Sequence, residues 1–584
     1  MKPKRLVLSL FSLLFLFSLS NSLFAQDWER IKPKELPPTE GEVELPAPPA
    51  PPDVDEDKVL VKSLKGMVFI PRVDPDKKWW RRETVEGVVV KNLDILQGED
   101  FQAVMGKYIS KPLTMRLLNQ IVREVVAFYR SKDHPIVDVV VPEQDVTAGV
   151  VHFMVVEAVL GDVRAQGNKF FSSELLIEKV TTGKGEPFLE SRLMDDLEWM
   201  NKNPFRQSDF AFTPGSQPGL TDLVVRTKDR FPFRGFIGYE DSGTQITDDE
   251  RWIHGFNFGN IVELGHQANY QFTASFDYEK VRAHSGNYMV LLPWRHIFEV
   301  YGSYSELKAA SDGLFDLKGY SWQVSTRYTV PLPSLSLFKI KDYKHDLLLG
   351  YDFKQSNNNL VFSPNLAVID SLTDINQLVL GYLARLGDKL GNTSLEGYVF
   401  FAPGQWSEND EDEHYQKIRG YAEADYTYAK LYLDRVTFFP FNFSFLTRFL
   451  WQWSSENLLP SEMLGLGGYY SVRGYDEREV NGDSGYFISL ELRSPKINLG
   501  PIIWGAPIPD ELYLLGFWEY GNASNRHLLP GEDPSVQLQS MGWGIRYNIN
   551  PFISVRFDQG WQMKMATTWR RHQGRTHIGA ILSF

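Results

Sequence analysis

The stretch "ANYQFTASFDY", Ala268–Tyr278, alternates apolar and polar residues with a period of two. This is the period with which successive side chains of a β-strand point to opposite faces. The stretch therefore predicts a strand with one largely aromatic face and one hydrophilic face. The apolar side consists of Ala268, Tyr270, Phe272, Ala274, Phe276 and Tyr278, and the polar side of Asn269, Gln271, Thr273, Ser275 and Asp277.

The same alternation recurs along the C-terminal part of the chain, in "WQVSTRYTV" (322–330), "FNFSFLTRFLWQW" (441–453) and "FISVRFDQG" (552–560). A soluble β-sandwich also alternates, but it turns aliphatic side chains towards its core. Here the apolar side is rich in aromatics in strand after strand, and the opposite side carries charge. This combination is typical of a transmembrane β-barrel with lipid outside and a wet lumen inside.

We therefore expect residues 231–584 to form a barrel. At roughly 20–24 residues per strand, including its share of the loops, this length holds about 15–18 strands, and we predict 16. Polar segments such as "GQWSENDEDEHYQK" (404–417) are expected to form extracellular loops.

Residues 59–158 and 159–230 each predict a small α/β module in the order β-α-α-β-β. In the first module a helix carries an apolar face at i, i+3, i+4 and i+7 spacing. The predicted fold class is thus mainly β: a 16-stranded antiparallel transmembrane β-barrel preceded by two α/β modules. The helical face consists of Leu118, Ile121, Val122, Val125 and Tyr129.

The N-terminal residues 1–25 predict a signal peptide, because a basic start and an apolar run precede a cleavage site before Gln26. A membrane anchor is the alternative, although the apolar run is short for a spanning helix. Residues 26–58 are rich in Pro and Glu and predict an extended, solvated linker. Within this linker, Asp27–Lys34 is a candidate for a short plug helix, which Pro33 limits.

The composition excludes several classes of site. The 584 residues contain no cysteine, so neither a disulfide framework nor a thiolate metal site is available. The formal net charge of −13 argues against a general nucleic-acid binder. The eleven histidines are scattered, and the sequence has neither a phosphate-binding glycine loop nor a zinc-protease motif. We expect no enzyme activity, no metal and no cofactor.

The tetrapeptide "GDSG", Gly482–Gly485, surrounds the nucleophile in trypsin-like proteases. Such a serine works only with a histidine base, an orienting aspartate and an oxyanion hole. Ser484 instead stands just before an alternating strand, and Asn481-Gly482 is a turn signal. We interpret "GDSG" as a turn entering a strand.

A second motif, "VRGY" (472–475), stands shortly before "GDSG", in a long segment that we expect to form a loop between two barrel strands. A loop of this length can fold into the barrel lumen, where a buried arginine needs an acidic partner. In "LYLLGFWEYGNA" (512–523), Glu519 points into the lumen if its neighbours Trp518 and Tyr520 face lipid. An Arg473–Glu519 pair would hold the loop inside the barrel, and separate solvation of the two groups is the alternative. The motif residues are Val472, Arg473, Gly474 and Tyr475.

The loop motif and "FWEYG" (517–521) together are similar to the paired motifs of outer-membrane polypeptide-transporting barrels. The strand motif of that superfamily reads Phe-x-Asp-x-Gly, which Phe517 and Gly521 match and Glu519 alters. The chain ends in "THIGAILSF", and its terminal Phe584 resembles the membrane-assembly signal of bacterial outer-membrane proteins.

The N-terminal modules resemble those of one branch, the two-partner secretion transporters of the hemolysin secretion/activation (TpsB; ShlB/FhaC/HecB) family. "VPEQDVTAGVVHFMVVEA" (141–158) is similar to the end of their first POTRA module. "WMNKNPFRQ" (199–207) and "TPGSQPGLTDLVV" (213–225) are similar to their second. The resemblance extends from about Val59 to Phe584.

This resemblance implies a monomeric outer-membrane transporter. Its periplasmic POTRA modules would capture an unfolded exoprotein through an N-terminal secretion domain, and the pore would export it without nucleotide hydrolysis. The other implied partners are outer-membrane lipid and the barrel assembly machinery, with no nucleic acid. An open sheet edge can accept a client strand by β-augmentation. The tentative substrate-binding residues are Leu117, Ile121, Val125, Val139 and Val141.

Three other functions are alternatives. An assembly factor that inserts other barrels belongs to the same superfamily, but such factors usually carry more POTRA modules or accessory subunits. A passive porin would lack the soluble N-terminal third of the chain. A soluble protease would require the catalytic interpretation of "GDSG".

Overall fold

The structure is a computed structural model that describes residues 31–45, 56–72, 85–217, 219–244, 247–311, 315–333, 342–362, 366–369, 371–503, 505, 508–564 and 574–584. The predicted signal peptide and residues 27–30 of the candidate plug helix lie outside the described residues. The chain divides into two compact units, of which one comprises residues 36–232 with 262–265. Among the helices described, none is long and apolar enough to cross a membrane.

The N-terminal unit contains two small α/β modules with short connections. In chain order its elements are β1 (Val43–Glu44), β2 (Val59–Val61), β3 (Gly66–Pro71), β4 (Gly87–Val90), α1 (Glu99–Gly106), β5 (Leu113–Thr114), α2 (Met115–Ser131), β6 (Val137–Val140), β7 (Val150–Glu157), β8 (Val159–Gln166), α3 (Ser173–Ile177), α4 (Glu190–Asn201), β9 (Arg206–Pro214) and β10 (Leu220–Asp229).

The first module packs α1 and α2 on a four-stranded sheet in the order β4-β3-β7-β6. Helix α2 begins after Thr114, whose hydroxyl accepts a hydrogen bond from the Leu117 N–H at 3.2 Å and so caps the helix. Its apolar face is buried as the periodicity predicts. At the end of this face the Tyr129 hydroxyl donates to Glu157 at 2.7 Å. The pKa of Tyr129 is raised mainly by burial and, to a smaller extent, by this hydrogen bond.

The second module has a four-stranded sheet in the order β1-β9-β10-β8. Strand β1 lies in the segment expected to be a solvated linker, and it pairs in parallel with β9, with Val43 opposite Phe210. Val43–Glu44 is extended as expected for the linker, but this part of it is not fully solvated. An extended backbone can satisfy an otherwise open sheet edge even where its side chains are too polar to build a core.

The second unit contains the strands of the barrel and of the loops inside it. In chain order they are β11 (Phe233–Glu240), β12 (Arg251–Ile261), β13 (His266–Ser275), β14 (Val281–Leu291), β15 (Ile297–Ser311), β16 (Phe315–Pro331), β17 (Asp342–Phe362), β18 (Leu366–Ile369), β19 (Leu372–Asp388), β20 (Gly391–Pro403), β21 (Asp425–Phe438), β22 (Ser444–Ser454), β23 (Leu464–Leu466), β24 (Val480–Gly482), β25 (Ser484–Arg493), β26 (Asp510–Ser524), β27 (Ser535–Ile549), β28 (Ile553–Gln562) and β29 (Arg575–Ser583). Two short helices are α5 (Asp412–Ile418) and α6 (Gly500–Ile503).

Within the described part of the chain, sixteen strands close into one antiparallel barrel, while β18 only extends the end of β17. The barrel closes where β11 pairs with β29, with Phe236 opposite Ser583. Closure leaves no unpaired edge, which a sheet in lipid requires. The predicted mainly β fold with sixteen antiparallel strands is confirmed.

The two faces of the strands separate as the alternation predicts. On β13, Asn269, Gln271 and Ser275 are buried inside the barrel, while Phe276, which follows the strand, is exposed on the outside. Trp451 on β22 is likewise exposed on the outside. The aromatic side of the strands therefore faces the surroundings, and the polar side lines the lumen.

Strand β11 begins directly after the N-terminal unit in the chain. We call the end of the barrel at which β11 begins the proximal end, and the opposite end, at which β11 ends, the distal end. Turns at the proximal end include 389–390, between β19 and β20, whereas residues 404–424 and 455–483 form long segments at the distal end. Segment 404–424 contains α5, with Tyr415 buried, so this predicted loop is folded rather than free.

Two local expectations were wrong in detail. The alternating run that starts at Phe441 begins with a turn, because Phe441 and Asn442 have positive φ angles and strand β22 starts only at Ser444. Asn481-Gly482 does not form a turn but belongs to β24, which pairs with β23. At Asn481-Gly482, pairing with β23 overrides the local preference of these residues for a turn.

Candidate functional site

The loop between β22 and β25, residues 455–483, folds into the barrel and is called the VRGY loop below. Its β23–β24 hairpin packs against the inside of the wall through a buried apolar cluster. The loop therefore has a core of its own inside the lumen, and this core fixes the height of the motif. The cluster consists of Leu464, Leu466, Val472 and Tyr475 from the loop with Phe487, Ala523 and Leu538 from the wall.

Arg473 is buried and reaches three carboxylates on three strands. Its Nη2 donates to Glu519 on β26 at 2.7 Å and to Glu491 on β25 at 3.0 Å. Its Nη1 donates to Asp558 on β28 at 2.9 Å. The backbone N–H of Arg473 also donates to Glu519 at 2.7 Å. These charge-assisted bonds fix the tip of the VRGY loop to the wall.

Two further arginines balance the charge of the three carboxylates, and an aromatic ring packs against Arg473. Arg493 donates to Glu491 at 2.7 Å, and Arg546 lies 2.9 Å from Asp558. The guanidinium of Arg473 lies 3.5 Å from the centre of the Phe517 ring, an arrangement that favours a cation over an aromatic face. Three cations thus face three buried acids, so no charge in this group is left uncompensated.

Glycines allow the loop backbone to approach the wall closely. Gly474 has a φ of +94°, and its N–H donates to His577 Nε2 at 3.1 Å. A Cβ atom on Gly560 of β28 would lie 2.7 Å from the Gly474 nitrogen. A Cβ atom on Gly521 would lie 2.9 Å from Leu466. Larger residues at these positions would push the loop away from the wall.

Tyr475 completes the attachment of the motif. Its side chain is buried, and its hydroxyl accepts a hydrogen bond from the Gln539 N–H at 3.2 Å and donates to the carbonyl of Lys564. Val472 packs into the apolar cluster beside Gly521. All four residues of "VRGY" therefore contact the wall or the loop core, each through a different interaction.

Residues 31–35, which we call the N-terminal segment, also lie in the lumen. Lys34 donates to the hydroxyl of Tyr470 on the VRGY loop at 3.2 Å and lies 3.7 Å from Glu240 on β11. Arg556 on β28 bonds Glu240 at 2.9 Å and lies 3.6 Å from the ring centre of Tyr469. The segment that precedes the N-terminal unit is thus bonded to both the wall and the loop.

A cavity of about 450 Å³ remains between the VRGY loop and the opposite wall. Glu462 and Tyr470 border it from the loop, Lys354 and Tyr428 from the wall, and Lys32 from the N-terminal segment. Lys354 donates to Glu462 at 2.7 Å. The VRGY loop and the N-terminal segment thus occupy part of a lumen whose wall carries hydrophilic side chains such as Lys354.

The structure brings the predicted pair together and adds acids that the sequence analysis did not assign. Arg473 and Glu519 lie in direct contact, and the longer Glu519 side chain reaches the backbone and side chain of Arg473 together. Glu491 and Asp558 were missed as partners. A signal was present, since both carboxylates stand on the lumen-facing side of their alternating strands.

The predicted client-binding residues lie in and beside the core of the first module. Ile121, Val125 and Val139 are buried in that core, where they hold α2 on the sheet. Leu117 and Val141 are half-buried at its margin. Of this set, only the latter two retain surface that a client could contact.

Phe584 extends the last strand by one residue. Its backbone exchanges two 3.0 Å hydrogen bonds with Gly235 on β11, and its ring lies over this glycine on the outside of the barrel. The side chain remains 75% exposed towards the surroundings. The terminal aromatic residue is therefore placed at the seam where the barrel closes.

Ser484 of "GDSG" forms hydrogen bonds to residues of the barrel wall. Its hydroxyl accepts a hydrogen bond from the Ser454 N–H at 3.0 Å, and its carbonyl accepts one from Ser524 at 3.2 Å. Both neighbours are strand residues of the barrel wall, so the serine joins β25 to the strands on either side.

Family models match two parts of the chain. Residues 219–507 match the haemolysin secretion/activation protein ShlB/FhaC/HecB family, and residues 84–158 match the POTRA domain of ShlB type. Together the two ranges cover more than half of the chain.

Similar proteins include named transporters. The heme/hemopexin transporter protein HuxB of Haemophilus influenzae (strain 86-028NP) is 20% identical over 472 residues, 77% of this chain and 78% of HuxB. The outer membrane transporter CdiB of Dickeya dadantii (strain 3937) is 22% identical and covers 82% of each chain. The solved structure of CdiB from Escherichia coli has a TM-score of 0.67 at 16% identity and covers 92% of this chain and 94% of CdiB, which shows the same fold.

Proposed function

Because the chain belongs to the ShlB/FhaC/HecB haemolysin secretion/activation family, we propose a specific route by which it exports its partner. The protein is an outer-membrane transporter of two-partner secretion, with its POTRA modules in the periplasm. Its family members are transporters rather than enzymes, and we assign no catalytic residue, metal or cofactor to this chain. The exoprotein partner binds the modules through its N-terminal secretion domain and then passes through the barrel.

The chain divides by function as follows. Residues 1–25 direct secretion, 26–58 form the linker, 59–158 and 159–230 are the two modules, and 231–584 form the barrel with its lumenal loop around 465–485. The proximal end of the barrel faces the periplasm, and the distal end faces the medium. The barrel works as a monomer in outer-membrane lipid, with no nucleic-acid partner.

Capture begins at an open sheet edge of the first module. Strand β6 is the last strand of its sheet, and among the described residues it pairs only with β7. An extended client can add to such an edge through main-chain hydrogen bonds. Val140 at the end of β6 is 39% exposed and offers an apolar side chain along this edge.

A charge placed on this edge tests the capture step. Val140→Glu is expected to weaken binding of the exoprotein's secretion domain to the purified transporter by about tenfold, because it puts a carboxylate into an apolar contact. Val59→Glu is the matched control, since Val59 is 54% exposed in the same module but lies on β2. Equal binding by both variants and the wild type would place the capture site elsewhere.

Passage through the barrel requires the lumen to clear. The VRGY loop and residues 31–35 occupy part of the lumen in this conformation, and polar contacts rather than a continuous apolar core hold the N-terminal segment. Polar contacts can be exchanged for water or for the backbone of a passing chain at small net cost. We therefore assign displacement of residues 31–35 to the transport cycle. The VRGY loop, which is held by its own buried apolar cluster, must also move for a chain to pass.

Phe584 and the β11–β29 seam serve membrane assembly. The terminal residue pairs with Gly235 and exposes its ring at the point where the barrel must close last. The barrel assembly machinery is the partner that this exposed C-terminal signal fits.

The observation that supports the export function is a closed barrel with a hydrophilic lumen, which follows two α/β modules, the first of them matching a POTRA domain, and which encloses the VRGY loop. Deleting the gene is expected to remove one large exoprotein from the culture supernatant and to leave it in or on the cell. Complementation with the wild-type gene should restore it. An unchanged set of secreted proteins after deletion would refute this function.

A further inference from the structure

The tetrapeptide "GDSG" contains a buried carboxylate that the route above does not use. Asp483 is fully buried where the VRGY loop joins β25. Its carboxylate accepts hydrogen bonds from both terminal nitrogens of Arg419, one of them at 3.0 Å. It also accepts bonds from the backbone N–H groups of Leu458 and Arg526, each at 2.8 Å.

The donors to Asp483 come from three distal segments. Arg419 follows α5 in segment 404–424, which we name the α5 loop. Leu458 lies in the VRGY loop, and Arg526 lies in residues 525–534, which we name the β26–β27 loop. One carboxylate therefore joins all three loops at the extracellular end of the barrel.

Asn457 joins the same three loops a second time. Its Nδ2 donates to the carbonyls of Gly420 and His527, each at 2.9 Å. Its Oδ1 accepts from the His527 N–H at 2.7 Å. Ala422 and Asn457 also form an isolated parallel bridge between the backbones of the α5 loop and the VRGY loop.

An apolar layer lies beside these polar contacts. Tyr415 and Ile418 from the α5 loop pack with Leu458, Leu459 and Met463 from the VRGY loop. Ile418, Leu459 and Met463 also border the lumenal cavity. The joined loops thus cover the cavity on its distal side, in the path of a chain leaving the barrel.

We propose that Asp483 is a positioning residue for export, which holds the three distal loops together through Arg419, and that this ion pair separates when the barrel opens. The proposal rests on the transport function above. It assigns Asp483 a role distinct from that of Arg473, which fixes the tip of the VRGY loop to the wall. A buried pair suits a two-state closure, because losing either partner leaves a buried charge uncompensated.

Conductance of the purified full-length protein in planar lipid bilayers tests the closure without any exoprotein. Asp483→Asn keeps the side-chain shape and removes the charge. We expect it to raise the fraction of time spent in high-conductance states by at least about tenfold over the wild type. Glu413→Gln is the matched control, since Glu413 forms an exposed ion pair with Lys417 on the same helix.

A reversible cross-link gives a second measurement. Because the chain lacks cysteine, Ala422→Cys with Asn457→Cys would place one engineered disulfide across the bridged backbones of the α5 and VRGY loops. Oxidation is expected to stop export and a reductant to restore it, while Asn457→Cys alone should not respond to oxidant. Heat-modifiable migration on gels would verify that each variant has a folded barrel.

The outcomes separate the two proposals. Wild-type conductance by Asp483→Asn, or normal export by the oxidised double-cysteine variant, would overturn the closure role. If the wild type shows gated conductance but exports no partner, the export function is wrong, and the conductance comparison still decides whether Asp483 holds the loops.

Discussion

Replacing Arg473 with alanine is expected to reduce exoprotein in the culture supernatant to less than about a tenth of the wild-type amount, because a buried pair that loses one partner costs about 3–5 kcal/mol. The substitution leaves Glu491, Glu519 and Asp558 close together without the cation that bonds all three. Their mutual repulsion should release the tip of the VRGY loop from the wall. Immunoblots of supernatant and outer membrane would measure the export and the amount of transporter.

Two further variants show whether the geometry or only the charge of Arg473 matters. Arg473→Lys keeps the charge, but a single ammonium cannot reproduce a planar fork that reaches three strands, so we expect intermediate export. Arg385→Ala is the control, because the side chain of Arg385 is 56% exposed and lies 3.9 Å from Asp346. Full export by Arg473→Ala, with a normal amount of folded barrel, would show that the contacts of Arg473 are dispensable.

Gly560→Val should produce a comparable loss of export through shape alone. A Cβ atom at this position would lie 2.7 Å from the Gly474 nitrogen and 2.8 Å from the Arg473 carbonyl carbon. Because both contacts are with backbone, no side-chain rotation can relieve them, and the tip of the VRGY loop must move away. We expect export to fall at least about tenfold, since overpacking of this kind costs about 1–3 kcal/mol and also breaks the bonds to Arg473.

The matched control for this substitution is Gly516→Val. Gly516 lies on β26, two strands away from β28 in the barrel, and a Cβ atom there would meet only the Gly542 carbonyl, at 3.9 Å. It should leave export unchanged. If Gly560→Val secreted normally while its barrel remained folded, close seating of the loop tip would not be required for transport.

The strand alternation was sufficient to predict the barrel and its two faces. In Ala268–Tyr278 each side chain takes its face from its parity, which is a local property of the extended backbone. The same parity placed Glu519 in the lumen opposite the outward Trp518. Local preference failed at Asn481-Gly482, where pairing with β23, rather than residue type, decides the conformation. At Phe441 the alternation extended past the start of the strand, which begins only at Ser444.

The linker and the helix of the first module show a second limit. Pro and Glu content predicted that residues 26–58 build no core of their own, but it could not reveal that Val43 pairs with Phe210 far along the chain. The period of α2 identified one apolar face that includes Ile121 and Val125. Periodicity alone does not distinguish a face that packs on the module's own sheet from a face that binds a partner.

The sequence by itself predicted the barrel and the side of its alternating strands that faces lipid, and it offered Arg473 and Glu519 as a candidate pair. Only the tertiary structure decided that Glu491 and Asp558 share that arginine and that Asp483 joins three loops through Arg419. Parity assigns a residue to a face, but not to a height along the barrel axis. That height depends on the stagger between strands and on closure of the whole sheet, which bring Arg473 and Asp558 together across 85 positions of sequence.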